Sequence, residues 1–159
     1  MTKGPGILGV DHVAVFTARL EEAEAHYGLL FSAEVLFRGT THQGAWVAID
    51  GDASWVDVRR RGLRVESTFL RAGAVTIIAT DDASPGRGGP LNHIGIGCSD
   101  AEFKRIRDQV RALELREHES SSDAFKFRDE FGVLWEVSRG MEAAHKPAKR
   151  LDLGTGRVT

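Results

Sequence analysis

Asp11-His12-Val13-Ala14-Val15 and Asn92-His93-Ile94-Gly95-Ile96 are two copies of one short pattern. In each, a polar residue precedes a histidine, and aliphatic residues then alternate with small ones. Alternation of this kind has the two-residue period of a β-strand. Residues two apart share a strand face. His12 therefore sides with Val10, Ala14 and Phe16, while Val13 and Val15 point the other way. His93 sides with Leu91, Gly95 and Gly97, opposite Ile94 and Ile96. In both copies a small residue two positions on leaves room beside the imidazole, and the aliphatic face is free to pack under helices. Two similar halves that open this way predict two imidazoles facing one shared site.

Working outward, each strand is followed by the same programme. After the first, Thr17 is a candidate N-cap for a helix running to about Phe31, with Leu20, Ala23, Tyr27, Leu30 and Phe31 as its buried stripe. Strands are predicted over Ala33 to Arg38, Ala45 to Asp50, Val65 to Arg71 and Val75 to Thr80, punctuated by Gly51-Asp52 and Ala72-Gly73. Asp81 to Pro90 is rich in Pro, Gly and Asp and reads as a linker. After the second strand, Ser99 and Glu102 form a capping-box pattern, and Phe103, Ile106, Val110 and Leu113 make a helical stripe. Strands near Leu115 to His118, Ala124 to Arg128 and Val133 to Ser138 complete the half. The organisation is thus a module over 7–80, a linker over 81–90, a module over 91–139, and a weakly apolar tail or surface segment over 140–159. Each half reads as a strand, a helix and then several strands in succession, an α+β organisation.

Composition narrows the function. A chain of 159 residues with a formal net charge of -2 gives no support for nucleic acid or an anionic membrane as partner. Cys98 is the only cysteine, so no intrachain disulfide exists, which suits a reducing cytoplasm. Neither a signal peptide nor a membrane span is evident. The expected partner is a small-molecule substrate.

Glu136 is the third residue of interest. It lies in Val133-Leu134-Trp135-Glu136-Val137, where Leu134, Glu136 and Ser138 share a face. A carboxylate among apolar neighbours is costly to bury unless it is paired. A divalent metal held also by His12 and His93 would pair with it. Two histidines and one carboxylate with open positions suit Fe(II), and also Zn, Mn, Ni or Co. Taken singly, each of the three has an ordinary alternative as a hydrogen-bonded or solvated strand residue.

At these residues the chain resembles the vicinal oxygen chelate superfamily, which includes glyoxalase I, extradiol dioxygenases, methylmalonyl-CoA epimerase, and the fosfomycin- and bleomycin-resistance proteins. The resemblance covers about residues 7 to 139. It implies two βαβββ modules curling into a half-open barrel of mixed sheet around a metal, with His12 and His93 as ligands on the module-opening strands. Glu136 would be the ligand on the last strand, after an acidic turn that here reads Asp129-Glu130-Phe131-Gly132. The fourth ligand of the glyoxalases and the epimerase falls on Ile78 or Ile77, so the site would have three protein donors. Where extradiol dioxygenases carry a Tyr, this chain has Lys126, and His118 stands where their signature has a His. A homodimer is implied by the resemblance alone, and the site could be assembled within one chain or across two.

Other residues carry weaker signals. Lys126 and His118 are candidate catalytic groups, with a strand lysine reaching solvent and a solvated loop histidine as the ordinary alternatives. Trp46, Phe69 and Phe127 are candidates for lining a substrate pocket, with core packing as the alternative. Arg59-Arg60-Arg61 and Arg64 would recognise phosphate or form a charged hairpin or sheet edge. The functional expectation is a metal-dependent enzyme that chelates vicinal substrate oxygens and stabilises an enolate or enediolate, as an isomerase or lyase. The rivals are an Fe(II)-dependent extradiol-type dioxygenase and a non-catalytic antibiotic- or small-molecule-binding protein.

Overall fold

The computed structural model describes residues 6–81, 91–128, 133–141 and 149–159. The chain forms two compact units, Met1–Val13 with Asn92–Lys146, and Ala14–Leu91 with Pro147–Thr159. The division falls inside the first strand, β1 (Ile7–Phe16).

The first unit holds the leading part of β1 together with β6 (Leu91–Cys98), α3 (Asp100–Ala112), β7 (Glu117–Ser120), β8 (Ala124–Arg128) and β9 (Leu134–Arg139). Its strand order is β1-β6-β9-β8-β7. β6 and β9 are parallel, and β9–β8 and β8–β7 are antiparallel, so the sheet is mixed. The Ser99 side chain accepts from the Glu102 N–H and caps α3, as the sequence pattern indicates. Phe103 and Val110 bury the apolar stripe of α3 against Cys98, Phe125 and Val137. Burying Phe103 and Phe125 fully contributes about 1.5–3 kcal/mol each relative to exposure. Leu113, expected on that stripe, is 66% exposed because the helix ends at Ala112 and Leu113 turns the chain away.

The second unit holds α1 (Leu20–Phe31), β2 (Glu34–His42), β3 (Ala45–Asp50), α2 (Trp55–Arg60), β4 (Val65–Ala72), β5 (Val75–Thr80) and β10 (Arg150–Leu151). Its order is β10-β3-β2-β4-β5. Leu20, Val47, Ile49, Val58, Val65, Ala79 and Leu151 form one core cluster. Ala14, Phe37, Ala48, Phe69 and Ile78 form another. The fold class is α+β, as the two-period and helical stretches of the sequence require.

Four expectations are corrected. Thr17 does not cap α1. The N-cap is Arg19, and the Thr17 hydroxyl instead accepts from the Arg19 N–H at 3.1 Å. Arg59 and Arg60 lie in α2 rather than in a hairpin, because Ser54 caps a helix there by accepting from the Asp57 N–H. The charged run is satisfied locally, with Arg59 on Glu21, Arg60 on Asp57 and Arg64 on Asp81. Finally, part of the segment expected as a tail is ordered: Arg150–Leu151 pairs with β3, Leu151 is buried at 3% exposure, and Asp152 accepts from the Gly154 and Thr155 N–H groups to turn the chain. The linker residues 82–90 and the turn Asp129 to Gly132 lie outside the described residues.

Candidate metal centre

His12 comes from β1, His93 from β6 and Glu136 from β9, three strands adjacent in order within the first unit. The parallel register of β6 and β9 sets Gly95 opposite Glu136. All three side chains are buried, with residue exposures of 0%, 7% and 8%. His12 Nε2 lies 2.7 Å from His93 Nε2, and Glu136 Oε2 is 3.2 Å from His93 Nε2 and 3.9 Å from His12 Nε2. Among the described residues these three form the group of donors suited to hold a metal ion, with one ligand atom from each within 4.8 Å of the others.

Gly95 makes the arrangement sterically feasible. A Cβ at that position would overlap the His12 ring, so the small residue beside His93 makes the space for the other imidazole. Asp11, buried at 3% exposure, lies against the His12 ring. Its Oδ2 is 3.3 Å from His12 Nδ1, on the side of the ring away from the cluster, while Nε2 faces His93 and Glu136. Asp11→Asn is expected to weaken metal binding by about tenfold with no change in fold, read by competition titration with a chelating dye. The sequence signal for Asp11 was the polar residue that precedes each histidine.

Electrostatics at Glu136 are decided by its neighbours. Burial pushes its carboxyl upward, but the His93 hydrogen bond and the charges of His12, Lys126 and His93 outweigh it and hold the pKa at about 2. A depressed carboxyl stabilises the fold above its unfolded value near 4.5, and that stabilisation is lost as the pH falls toward 2.

Lys126 sits opposite Glu136 in the β8–β9 ladder. Its Nζ is 3.5 Å from Glu136 Oε2 and 2.7 Å from Glu119 Oε2. The ordinary alternative, an ammonium carried out to solvent, is therefore corrected: the side chain is 22% exposed and faces Glu136. Burial works against the ammonium, yet the Glu119 hydrogen bond and the Glu136 charge raise its pKa above the ordinary lysine value. Glu119 was missed by sequence reasoning, because nothing in the run Glu117-His118-Glu119-Ser120 sets one glutamate apart. A cavity of about 230 Å³ opens beside these groups, lined by Glu119, Ser120, Ser121, Phe125, Lys126 and Glu136 among others.

The other candidates lie elsewhere. His118 is exposed on β7, and no contact among the described residues joins it to the three donors. Phe127 stacks on Phe125 with ring centroids 6.0 Å apart. Trp46 and Phe69 belong to the second unit, where both pack against Phe37.

No family model and no curated protein matches the sequence. Solved structures do match its fold. Methylmalonyl-CoA epimerase from Mycobacterium tuberculosis aligns with a TM-score of 0.55 at 14% identity, covering 88% of this chain and 93% of that one. Streptomyces coelicolor methylmalonyl-CoA epimerase gives 0.54 at 15% identity, covering 84% of this chain and 98% of that one. A catechol 2,3-dioxygenase gives 0.56 at 17% identity, covering 94% of this chain, which spans 49% of the dioxygenase. The fold is thus one shared by epimerases and ring-cleaving dioxygenases. That shared fold agrees with the one implied by the resemblance of the sequence to the vicinal oxygen chelate superfamily.

Proposed function

We propose that the protein is a metal-dependent enzyme acting on a small molecule with two neighbouring oxygens, and that it works as an isomerase or lyase through an enolate or enediolate. The observation that carries this reading is the convergence of His12 Nε2, His93 Nε2 and Glu136 Oε2. The donor set fits a divalent ion by three tests. Two imidazole nitrogens from different strands converge to 2.7 Å beside a carboxylate oxygen. The neighbours of Glu136 hold its carboxyl below the ordinary carboxylate range, which favours the anionic form a metal needs. An Asp11 carboxylate beside His12 Nδ1 suits the tautomer that turns a lone pair on Nε2 toward the other donors. A cation held there would supply Lewis-acid stabilisation of charge developing on substrate oxygens.

The chain's own residues supply the rest. The strands hold both rings in place, Gly95 gives the His12 ring its space, and Lys126 adds a fixed positive charge beside the cavity. Fe(II), Zn, Mn, Ni and Co all suit such a donor set. Near-complete coverage of the epimerase chains supports the isomerase or lyase reading. A second reading, an Fe(II)-dependent ring-cleaving dioxygenase, draws support from the two-histidine, one-carboxylate set itself.

The test is metal-dependent exchange of a carbon-bound proton. Metal-loaded protein, incubated in heavy water with a panel of thioesters, 2-oxo acids and hemithioacetals, is expected to incorporate deuterium next to a carbonyl, and metal-free protein is not. Oxygen consumption with catechols in place of exchange would move the assignment to the dioxygenase. Absence of both from fully loaded protein would contradict the enzymatic reading. Because imidazole binds metal only when unprotonated, affinity is expected to fall with a proton-linked slope as the pH is lowered. A titration series from neutral to acid pH reads that slope, and a flat profile would exclude the histidines as ligands.

A further inference from the structure

We propose that Lys126 is the residue by which this site selects its substrate, and that the substrate carries a carboxylate next to the oxygens it offers for chelation. The proposal rests on the metal reading above and adds a substrate class to it. Lys126 Nζ lies 3.5 Å from Glu136 Oε2 and lines one cavity with Glu136, Ser120 and Ser121. A largely buried ammonium needs an anion close by. Glu136, 3.5 Å away, is shared with the donor cluster, its Oε2 also lying 3.2 Å from His93 Nε2. The partner at 2.7 Å is Glu119, whose side chain is 75% exposed while that of Lys126 is 22% exposed.

This asymmetry makes Glu119 a placeholder. It comes from β7 at the point where the register with β8 shifts, between Glu117 and Ser120, so its side chain can swing out without breaking a regular ladder. An ion pair with one solvated end is held weakly. A substrate carboxylate entering the cavity would take over the ammonium in a charge-assisted hydrogen bond, while the adjacent oxygens face His12, His93 and Glu136. Lys126 thereby favours oxyacids over neutral chelators of similar size.

The experiment uses the full chain loaded with zinc and two bidentate probes followed by calorimetry: oxalate, which chelates and presents further carboxylate oxygens, and acetohydroxamate, which chelates without them. Lys126→Met is expected to weaken oxalate about tenfold. The same variant should leave acetohydroxamate within about twofold. Glu119→Gln, at an exposed position, is expected to tighten oxalate about threefold by removing the competitor. That gain should vanish in the double variant. Equal losses of both probes in Lys126→Met, an unchanged oxalate affinity, or no gain from Glu119→Gln would overturn the proposal. Zinc is titrated first: normal zinc binding with an unresponsive oxalate affinity sinks the carboxylate assignment alone, whereas failure of the unaltered protein to bind zinc sinks the metal reading and this proposal with it.

Discussion

Replacing His12 with Ala is expected to weaken divalent-metal binding by more than about a hundredfold. The reason is geometric. His12 is fully buried, its Nε2 faces His93 and Glu136, and Asp11 holds its other nitrogen. Removing the ring deletes one of three donors and leaves a cavity beside Gly95, the residue whose missing side chain made room for it. The loss should exceed that of Asp11→Asn, which spares the donor and only loosens its orientation. Glu136→Gln provides a control of nearly unchanged shape. It keeps the volume, removes the charge that faces both histidines, and should weaken metal by a comparable factor with the fold retained. Competition titration of each variant, with circular dichroism to confirm folding, reads the effect. Unchanged affinity in a folded Glu136→Gln protein would remove Glu136 from the donor set.

The largest effect on stability is expected at Glu24→Ala, in the second unit. Glu24 lies on the inward side of α1, where its carboxylate accepts from Arg38 Nε at 2.7 Å, Arg38 Nη2 at 2.7 Å, Trp55 Nε1 at 2.7 Å and Thr68 Oγ1 at 2.6 Å. Arg38 also donates to the Ala53 carbonyl and lies over the Trp55 ring. One carboxylate thus joins α1, β2, β4 and the start of α2. The side chains of Arg38 and Glu24 are 5% and 8% exposed, so removing the acid strands a guanidinium in the core. Breaking such a pair from one side costs about 3–5 kcal/mol. Urea denaturation should report a loss of that size for Glu24→Ala. Glu21→Ala, which removes the exposed partner of Arg59, should cost at most about 1 kcal/mol. Equal, small losses for both would mean that the buried network contributes little.

Much of the candidate site was legible because it rests on strand alternation. The period of two set His12 and His93 on defined faces, and the small residues beside them marked the space that the structure fills with an imidazole. The capping box at Ser99 was legible for the same reason, a local rule with a local outcome. What stayed hidden depends on partners distant in sequence. Lys126 looked like a solvated strand lysine until the β8–β9 register set it opposite Glu136. Glu24 interrupts the apolar spacing of α1, but its partner Arg38 stands 14 residues away on another element. The short helix α2 was masked by its own arginines, although Ser54 and Asp57 carry the spacing of a cap. Leu151 gave too short an apolar signal to reveal a strand, and its burial comes from pairing with β3 and packing in the cluster around Val47 and Ile49.

The most direct measurement is X-ray absorption on the purified chain loaded with one equivalent of zinc. The account requires one tightly held ion per chain with two imidazole rings and a carboxylate oxygen in its coordination shell, and loss of one ring signature in His93→Ala. An all-oxygen shell, a spectrum indifferent to His93→Ala, or a chain that retains no ion after gel filtration would contradict it.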